Sequence, residues 1–137
     1  MFNLTIMNLK RFLAIAVLSL MSFQGFASHL LGGEIVWKCK PNGKYQFTLV
    51  LYRECGGITL PTSAQSLATN AGVSISCAFI STTDVVPSCY TGTTTCAGAT
   101  SGTGKMQKYV YRSGDITLTG TPPASGWYFT WSSCCRP

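Results

Sequence analysis

The stretch "GGEIVWKCKPNGKYQFTLVLYREC", residues 32–55, decides the fold. Two β-rich runs, 34–40 and 45–53, flank Pro41-Asn42-Gly43, the pattern of a β-hairpin. A two-residue Asn-Gly loop would set Trp37 opposite Thr48. A type I turn with Pro41 at its second position and Gly43 as a left-handed bulge shifts the register by one residue. In the shifted register Trp37 faces Phe47, Ile35 faces Leu49 and Cys39 faces Tyr45, all on one side. Turn chemistry and hydrophobic pattern agree, so the bulged turn is expected. The same register points Cys39 inward and leaves Cys55 beyond the second strand. Those two are therefore not expected to pair, and the candidates for Cys39 are Cys77, Cys134 and Cys135.

Working outward, residues 56–104 hold a single charged side chain, Asp84, among many Thr, Ser, Gly and Ala. Short apolar runs at "VSISCAFI" (73–80) and "DVVPSCY" (84–90) read as short strands between loops. "CYTGTTTCAGATSGTG" (89–104) reads as a long surface loop. Within it Cys89 and Cys96 are close enough in sequence to close a small ring, and they are expected to bond. Strand character resumes at "KMQKYVYR" (105–112) and "DITLTG" (115–120). The run "GWYFTW" (126–131) then alternates Trp127, Phe129 and Trp131 with Tyr128 and Thr130. Beyond the N-terminal leader no helical period of useful length appears, and turn signals recur about every ten residues. The expected fold is all-β, an antiparallel β-sandwich of immunoglobulin-like type.

The leader sets the compartment. Lys10 and Arg11 precede an apolar run, Phe12 to Met21, which is followed by Gly25 and Ala27, three and one positions before Ser28. This is the form of a secretory signal peptide, a helix in transit, and the run is about half the roughly 20 residues that a membrane span requires. Cleavage is expected after Ala27, giving a signal peptide at 1–27 and one module at 28–137. No cysteine lies at the cut, so a lipid anchor is not expected, and the membrane is met only during export. All seven cysteines lie in the exported part, where disulfides are the default chemistry. No Cys-x-x-Cys spacing favours zinc. Adjacent Cys134 and Cys135 are unsuited to bond each other and are expected to take separate partners among Cys39, Cys55 and Cys77, leaving one of the seven thiols free. Once Lys10 and Arg11 are removed, eight basic residues face four acidic ones, a net +4. The basic residues are spread along the chain, which argues against nucleic acid as a partner.

Catalytic provision is thin: one histidine and four carboxylates. Glu34 and Glu54 are the two carboxylates that the hairpin could bring together for glycoside hydrolysis, although charges at a strand edge are the commoner meaning. His29, next to the new amino terminus, could offer nitrogen ligands to copper, against the plainer reading of "SHLLGG" as a lead-in that bends into the first strand. Neither motivates a cofactor or a metal. Most aromatic residues read as core. Outward-facing Tyr128 is the candidate for stacking on a sugar ring.

Longer stretches carry a resemblance. "ASHLLGGEIVWKCKPNGKYQFTLVLYRECGG", with His29, Gly32, Gly33, Tyr52, Arg53 and Cys55, resembles the start of the mature region of very large secreted surface proteins of Bacteroidota, of the gliding-motility-associated or adhesin type. "PSCYTGTTTCAGATSG" and "QKYVYRSGDITL" resemble the middle of that region. "GWYFTWSSCCRP", with Trp131, Cys134, Cys135 and Arg136, is similar to its close. The resemblance implies a leading module with an adhesive or structural role and no catalysis, bound to an extracellular glycan or protein. It also implies further β-sandwich domains and a type IX sorting domain downstream, so that this chain would be a fragment. A carbohydrate-binding module is the alternative and a small secreted hydrolase the third reading.

Overall fold

The computed structural model describes residues 30–86, 92, 95–99 and 104–133. The leader, Cys89, Cys134 and Cys135 lie outside the described residues. Six strands follow in chain order: β1 (Leu30–Cys39), β2 (Tyr45–Glu54), β3 (Gln65–Thr69), β4 (Ile75–Val85), β5 (Met106–Ser113) and β6 (Phe129–Thr130). The all-β, antiparallel class is as expected. The strands run in the order β1-β2-β5-β4-β3-β6, each antiparallel to its neighbour, and the sheet curls until it is nearly a barrel.

The hairpin holds the register read from the sequence: Trp37 opposes Phe47, Ile35 opposes Leu49 and Cys39 opposes Tyr45. Its turn is the bulged one. The Gly43 amide donates to the Lys40 carbonyl at 3.0 Å, the Lys40 amide donates to the Lys44 carbonyl at 2.8 Å, and Gly43 has φ 72°. That angle strains any residue with a Cβ, which is why glycine occupies the position. Asp115 braces the turn from outside, accepting from Lys40 Nζ and, at 3.2 Å, from Asn42 Nδ2.

Three segments differ from the expectation. The run at 73–80 continues as one strand, β4, through to Asp84 and Val85, because a bulge between Phe79 and Ser81 lets the ladder with β5 continue through polar "STTD". The bulge turns Ile80 outward to solvent, and such a kink raises local twist, which helps the sheet to curl. "DITLTG" contributes only a bridge between Ile116 and Tyr45. The leading glycines are also part of β1 itself, which has an irregularity between Leu30 and Gly32.

One face of the curled sheet makes the core. Leu49 lies opposite Tyr111, Leu51 opposite Tyr109 and Phe79 opposite Tyr111, and Leu30, Phe47, Leu60, Leu67, Ile75 and Cys77 complete the buried cluster. From β6, Phe129 reaches across to Phe47, ring centroids 4.6 Å apart, so the far edge of the sheet packs over its second strand. Aromatic pairs at this separation add to what burial alone supplies. Tyr111 satisfies its buried hydroxyl by donating to the Pro61 carbonyl at 2.8 Å.

Two cysteine expectations are corrected. Cys96 bonds Cys55, not Cys89. The reason is strand-end geometry: Glu54 opposes Met106, the Cys55 amide donates to the Lys105 carbonyl, and the segment entering β5 therefore passes Cys55. Cys39 is exposed instead of inward, because β1 is a terminal strand and no described residue covers that end of it. Cys39 and the buried Cys77 are both free thiols, and Cys55 is bonded to Cys96; the pairing expected for Cys134 and Cys135 falls outside the described residues.

Candidate groove at the sheet seam

Where the curled sheet fails to close, β1 and β6 face each other across a groove of about 300 Å³. Leu49 and Leu51, from the inward face of β2, form its floor. One wall is Gly32, Gly33, Glu34 and Ile35; the other is Phe129, Thr130 and Trp131; Leu30 completes the lining. Trp131 is fixed by donating its indole N–H to Gln65 Oε1 at 3.2 Å. Gly33 is required by packing: a Cβ there would stand 2.7 Å from Leu51 Cδ2 and 2.7 Å from the Val50 carbonyl oxygen. Most of the lining side chains are apolar or aromatic, polar groups contribute about as much of the exposed surface, and among the described lining residues Glu34 is the one ionisable side chain.

The opposite kind of chemistry lies at the end of β2 and β5. Arg53 is buried, donates from Nε and Nη2 to Gln107 Oε1 at 3.0 and 2.8 Å, and donates from Nη1 to the carbonyls of Gly57 (3.1 Å) and Ile58 (3.3 Å). Gln107 passes the connection on, donating from Nε2 to Asp84 Oδ1 at 2.7 Å, and Asp84 Oδ2 accepts the Cys96 amide at 2.8 Å. The guanidinium also lies 5.8 Å from the centre of the Tyr109 ring. A buried cation needs this many acceptors, so the network ties the loop after β2, the disulfide and three strands together. Its groups are consumed by one another, which is the arrangement of a structural brace. The sequence pattern gave no sign of it beyond Asp84 being alone in a charge-poor stretch.

The other singled-out residues are dispersed. Glu34 sits opposite Val50 and Glu54 opposite Met106, four residues apart along β2 or about 13 Å, farther than paired glycosidase carboxylates stand. Tyr128 is 54% exposed, as its position in the alternating run suggested, and its backbone amide is held by Asn70 Oδ1 at 2.9 Å. Trp37, although opposite Phe47, is 61% exposed and meets the edge of Tyr45 in a T-shaped contact at 5.9 Å. His29 lies outside the described residues.

Three titrating groups are shifted. Burial pushes the Cys77 thiol up. Burial, with the neighbouring Tyr109, pushes the Tyr111 phenol up to about 12. The hydrogen bonds from Lys40 and then Asn42 hold the exposed Asp115 carboxyl below its ordinary value. None of the three lines the groove. Among the described residues no group of three or more His, Cys, Asp or Glu is placed to hold a metal ion, and no helix is long and apolar enough to cross a membrane. Comparison of the chain with family models, with curated proteins and with solved structures finds no match.

Proposed function

We propose that the chain is a non-catalytic module of a secreted cell-surface protein, exported by its N-terminal signal peptide, with an adhesive or structural role. The observation that carries this reading is the groove between β1 and β6: a trough of aromatic and aliphatic side chains and bare backbone, with a single carboxylate, suits holding a ligand better than transforming one. The Cys55–Cys96 bond supports an oxidising destination. The placement of Phe129 over Phe47, one layer above another, supports an immunoglobulin-like sandwich as the plan of the module. The resemblance to leading modules of gliding-motility-associated and adhesin-type proteins of Bacteroidota supports the surface role, with an extracellular glycan or protein as partner and further domains in the same polypeptide.

Display of the chain on a non-adherent bacterial cell, followed by counting attachment to surfaces coated with glycans or with extracellular proteins, tests the role. Attachment that falls at least tenfold with Trp131→Ala is expected. Cells that attach no better than undisplayed controls to any coating would refute it, and glycoside turnover lost in Glu34→Gln would favour the hydrolase instead. The carbohydrate-binding reading is favoured by one observation, the exposed and backbone-anchored Tyr128. It predicts glycan binding that is lost in Tyr128→Ala while Trp131→Ala retains it.

A further inference from the structure

We propose that the β1–β6 seam is a strand-insertion slot, which takes an extended segment of another polypeptide as an added β-strand. The lining itself points to a strand. Side chains alternate across a strand, so a groove touched only by side chains would show every second residue of each wall. Here Gly32, Gly33, Glu34 and Ile35 line one wall consecutively, as do Phe129, Thr130 and Trp131 the other. Consecutive lining means that backbone as well as side chains faces the groove, on the β1 wall most of all at the two glycines. Among the described residues both are terminal strands of the sheet, bonded on one side, β1 to β2 and β6 to β3.

An unpaired edge is a template for another strand unless it is guarded by charge, proline or shortness. β1 has ten residues, no proline, and along 30–37 only Glu34 as a charge; Lys38 stands nearer the turn. The glycine pair leaves the backbone bare along the groove, whose lining also includes Leu49 and Leu51. The occupant that fits is therefore an extended peptide with small or branched apolar side chains on its inward face, and a basic residue within reach of Glu34. Main-chain bonds would supply affinity and the floor would select side chains, the division of labour in recognition by strand addition. This deepens the binding role proposed above and rests on it.

A probe is an octapeptide alternating threonine and valine with a lysine at each end, capped at both termini. Binding is read by calorimetry and by residue-resolved amide exchange of the whole exported chain. The peptide is expected to bind and to slow exchange at least tenfold at the alternate β1 amides that β2 does not bond. Two further peptides keep every side chain but carry N-methyl groups on the even or on the odd residues. One of them is expected to bind at least tenfold more weakly, because it has lost the donors facing β1. Equal binding by all three peptides, absent binding, or binding without protection of β1 overturns strand insertion. So does self-association that protects β1 before any peptide is added, which assigns the slot to a second copy. Attachment to glycan surfaces without peptide protection of β1 would keep the adhesive role and lose this mode, so the two failures are separable.

Discussion

β1 and β2 come from one hairpin and share one register, yet they live in different surroundings. Leu49 of β2 is 1% exposed, whereas β1 is exposed over most of its length and leaves even Trp37 in solvent. Among the described residues β2 has a neighbour on each side and β1 on one, and Phe129 from the far edge of the sheet packs on Phe47 of β2. Pairing and burial are thus separate achievements: the turn and the alternation secure the first, and only the closure of the whole sheet secures the second.

The comparison is most easily broken by truncating one cross-strand pair from each side. Leu49→Ala is expected to destabilise by about 2–5 kcal/mol, the range for emptying a close-packed core site, while Ile35→Ala, its half-buried partner on β1, loses less than half as much. Urea midpoints with unchanged slopes measure both. Equal losses would mean that the seam is as well packed as the wall.

Next in size is the disulfide, which fastens the end of β2 to the segment before β5 across 41 residues. Cys55→Ala with Cys96→Ala is expected to remove about 2–4 kcal/mol. Amide exchange should quicken around Arg53, Asp84 and Gln107, with β1 unaffected. Loosening confined to β1 would place the brace wrongly.

Gly33→Ala probes the near side of the seam. The new Cβ meets a backbone carbonyl as well as Leu51, so about 1–3 kcal/mol of overpacking is expected. A neutral substitution would show that β1 slides freely on β2.

The thiols give the smallest perturbation. Cys39, on exposed β1, is expected to alkylate in the folded chain, whereas Cys77, 0% exposed and with its thiol pushed up by burial, reacts only after denaturation. Site-resolved mass spectrometry reads both.

The sequence made the hairpin legible because its information is local: Pro41 and Gly43 demand one turn, and a one-residue slip would turn Phe47 and Leu49 away from the core. The strand at 106–113 and the alternation of Phe129 and Trp131 were legible for the same reason. What escaped was set at a distance. The bulge at Ile80 is invisible to a period of two, since it interrupts that period. Cys96 was matched to Cys89 by nearness along the chain, although the antiparallel return of β5 to the end of β2 brings it to Cys55; counting strand ends, rather than ring size, would have found this partner. Parity assigned Cys39 and Trp37 to the inward face without saying that the cover ends before it reaches them. The groove follows from the same gap in closure, and no local pattern announces it.

Residue-resolved amide exchange of the chain alone distinguishes a sheet closed along β2, β5 and β4 and open between β1 and β6 from one closed all round. The account predicts protection at successive residues of β2 from Phe47 to Arg53. Along β1 it predicts strict alternation, the amides bonded to β2 protected and those facing the seam exchanging nearly as fast as unstructured peptide. Continuous protection along Gly32 to Trp37 would contradict it.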